Sequence, residues 1–192
     1  LHQQQASLLT AINGFMADED ASNIAAVGHR AWCLNPQMRR TGLGECNNYQ
    51  AMYSFDNSRT SRGKAIDTVF FPARGHYPSE YFGWNWPWSV TFPTGKYGVP
   101  KKSELRVEVW QLDHELMKIA KLRLDYLGVR SESFGMGHGV IFRPVMPSRF
   151  SLAGNIFLVS LRWGATARSA IGLDYVVHFF SITRESAAKK KS

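Results

Sequence analysis

His29 is the residue in this sequence best placed to do chemistry. It follows Gly28 inside the stretch 23–36, Asn-Ile-Ala-Ala-Val-Gly-His-Arg-Ala-Trp-Cys-Leu-Asn-Pro. At a helix start the free amides carry partial positive charge, which disfavours imidazolium. A neutral ring there suits metal ligation or acceptance of a hydrogen bond; the plainer alternative is a histidine that caps or packs. One imidazole cannot hold zinc, which takes about three or four protein ligands, so water or an acidic side chain would have to complete a metal site. As a base, His29 would need Ser22 or Cys33 as its nucleophile. Cys33 lies four residues on and shares its helix face, yet a Trp-Cys-Leu run in a helix usually means core. No nucleophile elbow, zinc-binding helix or phosphate loop occurs.

The segment 81–88, Tyr-Phe-Gly-Trp-Asn-Trp-Pro-Trp, is the densest aromatic feature of the chain. If exposed, Trp84 and Trp86 could stack on sugar rings or on a partner; the competing reading is aromatic filling of the interior. Trp88 alternates with Val90 and Phe92 and belongs to a core. Gly42-Leu43-Gly44 lacks the strand-then-helix context of a dinucleotide loop and reads as a closely packed strand. Arg39 and Arg40, after a helix end, complement its dipole. Cys33 and Cys46 can pair in an oxidising compartment or remain free thiols; both alternatives stay open. His76, His114, His138 and His178 are scattered singly and read as structural.

These residues must be positioned by elements that the sequence also outlines. Leu8, Leu9, Ile12 and Met16 fall at helical spacing over 6–16. Ser22 or Asn23 can cap a second helix over 24–34, which Asn35-Pro36 ends. Residues 43–55 read as one or two strands. The stretch 56–64 has no apolar residue and predicts a linker. Strand-like runs follow at 69–71, 88–92, 105–110, 118–124, 139–142, 156–163 and 175–182, separated by Gly and Pro. Seven or so strands at this spacing predict an antiparallel sandwich.

The 192 residues, 44% hydrophobic, suffice for a real core and exclude general disorder. The net charge is +8, of which residues 184–192 supply +3, four basic residues against one acidic. That basic tail reads as a frayed solubility feature, and the remaining charge is too thinly spread for a nucleic-acid face. No apolar run reaches the roughly 18 residues of a membrane span. No charged and then apolar leader opens the chain, and its start on Leu1 suggests a chain that begins inside a longer protein.

The ordered series Asn23 to Pro36, Thr41-Gly42-Leu43-Gly44, Met52 to Asp56, Phe71 to Pro78 and Trp88-Ser89 resembles the bacterial branch of the CAP superfamily (cysteine-rich secretory proteins, antigen 5 and pathogenesis-related 1). The resemblance implies an α+β chain. Residues 1–56 would be the trailing part of a CAP-like α-β-α sandwich and 57–65 a linker. An immunoglobulin-like antiparallel β-sandwich would follow at 66–183, mainly β overall, then a basic disordered tail at 184–192. It implies a secreted protein of the extracellular space or cell envelope. It also implies a ligand-binding cleft at His29, with Asn23 and Arg30 from the same motif and Asp18 or Glu19 as the acidic companion. A divalent metal such as zinc at His29 is the cofactor this admits. The family's other cleft residues come from a front half that has no counterpart here, and Arg30-Ala31-Trp32 stands where members often carry Arg-Arg-Trp.

The function expected is non-catalytic binding of an ion, small ligand or protein partner, with no catalytic residue assigned. The runner-up is a cell-surface carbohydrate-binding module using Trp84 and Trp86. A metal-dependent hydrolase using His29 comes third.

Overall fold

The protein is described by a computed structural model covering residues 8–47, 49–56, 58–59, 68–92, 97–131, 137–147, 150–164 and 171–183. The segments expected as linker (57–65) and basic tail (184–192) lie largely or wholly outside the described residues. The chain opens with helix α1 (Leu8–Ala17) and the short helix α2 (Gly28–Cys33). An antiparallel hairpin follows, β1 (Leu43–Cys46) and β2 (Tyr49–Met52), with Leu43 opposite Met52. Apart from single 3-10 turns at Ser79–Tyr81 and Lys102–Glu104, the elements described after it are strands: β3 (Val69–Phe71), β4 (Gly75–Pro78), β5 (Trp88–Phe92), β6 (Arg106–Leu112), β7 (Lys118–Leu122), β8 (Leu124–Arg130), β9 (His138–Pro144), β10 (Ile156–Trp163) and β11 (Ile171–Phe180).

Two sheets, ordered β4-β11-β10-β6-β7 and β3-β5-β9-β8, face one another as a sandwich. Alternation explains which residues meet between them. Trp88, Val90 and Phe92 of β5 point inward against Phe157, Val159 and Leu161 of β10 and Val177 and Phe179 of β11, all fully buried. Trp88 lies edge-on to Phe157 at 5.7 Å, and Phe92 stacks on Trp163 at 5.4 Å.

One strand breaks the alternation usefully. All five residues of β5 are buried, including the outward-facing Ser89 and Thr91. The helical N-terminal segment covers them. Val27, Arg30, Ala31 and Leu34 enclose a small space with Val69, Ser89 and Thr91. Arg130 at the end of β8 reaches both Ala26 O (3.2 Å) and Thr91 Oγ1 (3.4 Å).

The CAP-like α-β-α sandwich expected for 1–56 is not there. That segment carries helices of ten and six residues and a two-stranded hairpin, against nine strands in the rest of the described chain. The helix expected over 24–34 is only Gly28–Cys33, because Val27 adopts a left-handed conformation (φ 42°) that a continuous helix cannot include. The sandwich is not purely antiparallel either, since β4 pairs parallel to β11. The mainly β character expected of the chain holds.

Candidate functional site

Asp18 follows the end of α1 in a left-handed conformation (φ 43°), which turns its side chain back under α2. The carboxylate is buried and spends both oxygens. Oδ1 accepts from His29 Nδ1 at 2.7 Å, and Oδ2 accepts the backbone N–H of Arg30 at 3.0 Å. A carboxylate oxygen can only accept, so Nδ1 carries a proton, and in the neutral ring Nε2 is then the nitrogen with the lone pair. Phe15 stacks on the imidazole at 5.6 Å, with the planes 23° apart. Half of the His29 side chain remains exposed.

That exposed half faces a groove of about 270 Å³ lined by Phe15, His29, Trp32, Gln50, Met52 and Ser54. The floor comes from α1 and α2, and the hairpin strand β2 supplies Gln50 to Met52. Three of the named walls are apolar, and the polar atoms are few. This is the usual make-up of a small-ligand site, in which an apolar body is held by area and oriented by one or two hydrogen bonds.

Beneath the groove, Arg30 is 1% exposed and holds the arrangement against the sandwich. Its Nε donates to Met16 O (2.6 Å), Nη2 to Ala17 O (2.5 Å) and Nη1 to Pro87 O (2.6 Å). The guanidinium also lies over the Phe71 ring at 4.3 Å. Burial pushes its pKa down to about 9, against the pull of Asp18, and leaves it protonated at neutral pH. Arg30 is thus spent on two backbone segments, Met16-Ala17 and, 57 residues beyond Arg30 itself, Pro87, and no donor of its own turns to the groove.

Asn23 sits in the turn before α2, its amide donating to Asp20 Oδ2 at 2.7 Å. Ser22 is taken up by the same carboxylate. Cys33 donates to Met52 Sδ at 3.6 Å, and burial raises its thiol to about 11, so it is no thiolate nucleophile. Neither Ser22 nor Cys33 is hydrogen-bonded to His29. Cys33 and Cys46 are both free. Among the described residues no group of three or more His, Cys, Asp and Glu side chains converges on a point that could hold a metal ion. With Nδ1 taken by Asp18, His29 offers a single nitrogen.

The two tryptophans of the aromatic segment separate. Trp86 packs inward on Phe71 and Phe82. Trp84 is 61% exposed and forms one wall of a shallow groove of about 320 Å³ with Ser79, Glu80, Gly83, Phe150 and Ser151.

The residue that sequence reasoning ranked only as one of two acidic alternatives, Asp18, is the one that orients His29. Its signal was eleven positions away, at the first residue after a helix. The dipole of the six-residue α2 is not what fixes the ring.

No protein-family model matches the chain, and no curated protein does. Together with the β-rich fold this removes the CAP assignment. Among solved structures, the chain has a loose likeness to the crystal structure of selenomethionine PcoC, a copper resistance protein from Escherichia coli. That match has 9% sequence identity, covers 59% of this chain and 96% of that one, and has a TM-score of 0.33, too low to make the two folds one.

Proposed function

We propose that this chain is a non-catalytic binding protein whose groove beside His29 takes a small molecule with an apolar body and a hydrogen-bond donor. The observation that carries this is the Asp18–His29 pair. By fixing the proton on Nδ1 it presents Nε2 as an acceptor at a groove walled by Phe15, Trp32 and Met52. A hydroxyl or N–H of the ligand donates to Nε2, and the ring or chain behind it covers the apolar wall. Among the described residues no nucleophile lies within hydrogen-bond contact of His29, which argues against acyl transfer or hydrolysis at this site. Zinc is a poorer occupant than an organic molecule, because a single imidazole nitrogen leaves the rest of the coordination sphere to solvent. None of the described helices is long and apolar enough to cross a membrane. Placement outside the cell or in the envelope belongs to this reading, and fractionation of the native protein decides it.

4-Fluorophenol, a hydroxyl on a compact ring, is a direct probe. Its fluorine resonance should broaden and shift on titration with the wild-type protein. The effect should fall about tenfold in His29→Ala, the loss of a hydrogen bond and a wall together. Equal binding by wild type and variant would remove the reading.

A second reading has one specific observation behind it. Trp84 stands exposed over a groove with the polar groups of Ser79, Glu80 and Ser151, an aromatic platform of the kind on which sugar rings stack. Glycan-array binding that disappears in Trp84→Ala would favour it; an array without hits would remove it. Trp86, half-buried against Phe71 and Phe82, does not line this groove.

A further inference from the structure

The parallel pairing of β4 with β11 sets His76 directly opposite His178, 102 residues apart in sequence. In a parallel ladder aligned residues point to the same side, with neighbouring strands about 4.8 Å apart, so the two imidazoles rise together from the outer face of the five-stranded sheet. Their ring centroids are 5.0 Å apart and their planes are inclined by 50°. His76 is exposed and His178 half-buried. Among the described residues neither ring makes a hydrogen bond or ion pair. Their neighbour is Phe180, whose ring meets His76 edge-on at 6.2 Å and closes one side of the pair.

We infer that His76 and His178 form a two-histidine site for a divalent cation with a preference for imidazole, of the zinc, nickel and copper class. The separation fits. A cation about 2.0–2.1 Å from one nitrogen of each ring lies about 3.2 Å from each centroid. The centroids are then about 4.5 Å apart for ligands at a right angle and about 5.2 Å apart at the tetrahedral angle; the observed 5.0 Å falls between. Imidazole is a good ligand for these metals and a poor one for magnesium or calcium, which take oxygen. Water fills the remaining positions, since no third His, Cys, Asp or Glu joins the pair among the described residues. The two strands bring the ligands into register before the metal arrives, so little ordering is left for binding to cost. This site lies apart from the His29 groove and does not depend on it.

The test is a zinc titration by calorimetry, repeated with nickel, on the full chain in four forms: wild type, His29→Ala, His76→Ala and His178→Gln. Far-UV circular dichroism checks that each is folded. Wild type and His29→Ala should bind one ion with equal affinity, and each of the other two variants should weaken binding by about tenfold or more, as expected when one of two ligands is lost. Magnesium should not bind in the same range. Absence of zinc binding at millimolar metal would overturn the inference. So would binding that survives in both His76→Ala and His178→Gln, or that vanishes in His29→Ala alone.

Discussion

Asp18 and Arg30 do opposite jobs with buried charge. Asp18 turns its two oxygens to α2 and aims His29; Arg30 turns its three nitrogens away from the groove and fastens the helices to the sandwich. Arg30→Met fills a similar volume but leaves the carbonyls of Met16, Ala17 and Pro87 without their donor. Each buried unsatisfied group costs about 1–3 kcal/mol, so the variant should lose at least about 3 kcal/mol in urea denaturation. Arg30→Lys keeps the charge but not the fork and should fall between the two. A loss below 1 kcal/mol in Arg30→Met would mean that this buried network does not hold the two parts together. The cysteines give a second reading at this scale. Cys46 is exposed, whereas burial pushes the Cys33 thiol up to about 11. At pH 8 a thiol reagent should therefore modify Cys46 rapidly and Cys33 only slowly. No reaction at either position would indicate a disulfide.

At the scale of elements, the turn into α2 carries strain. Val27 is β-branched, 1% exposed and left-handed at φ 42°, a conformation that costs a residue with a Cβ about 1–2 kcal/mol. Elsewhere glycine is less stable than alanine by about 0.5–1 kcal/mol. Here the order should invert, with Val27→Gly more stable than Val27→Ala by about 1 kcal/mol; thermal or urea denaturation of the two variants decides it. At the other end of the fold, Glu80 after β4 gathers the residues that leave β11. Its Oε1 accepts from the hydroxyls of Ser181 and Thr183 and from the amides of Ile182 and Thr183. These bonds, that from Ser181 foremost, hold its pKa down to about 2. A depressed carboxylate stabilises above its ordinary range and loses that contribution as pH falls toward the folded value. Hydrogen exchange at Ile182 and Thr183 should therefore quicken between about pH 4 and 2, and Glu80→Gln should remove that pH dependence.

Much of this level was legible from patterning alone. Residues 88–92 and 156–163 became the strands expected, because alternation and β-branched or aromatic content agreed. The edge strand β4 was missed since Gly75 and Pro78 look like punctuation, and its parallel partner lies about a hundred residues on. The run expected at 118–124 covers β7 and ends on the first residue of β8, whose start a single residue, Arg123, sets apart.

For the whole molecule the governing fact is that the helical segment is laid on the outer face of the four-stranded sheet, burying Ser89 and Thr91. Sequence order hid this. The ordered motifs from Asn23 to Ser89 resemble a family whose fold the structure does not have, although His29 among them does line a groove. What no local window could reveal were the partners: Asp18 for His29, Pro87 for Arg30, and His178 for His76. Each pairing joins elements that only the folded chain brings together. Trp84 and Trp86, two residues apart, likewise divide between solvent and core only when Phe71 and Phe82 are seen to occupy one side.

The central claim is that Asp18 holds the proton on His29 Nδ1 and leaves Nε2 to receive a ligand. Nitrogen-15 spectra of histidine-labelled protein at pH 8 read this tautomer directly. They should show His29 with a protonated Nδ1 and a bare Nε2 whose resonance moves when 4-fluorophenol is added, and Asp18→Asn should erase the preference. A His29 protonated on Nε2, or one indifferent to both the ligand and Asp18→Asn, would contradict the account.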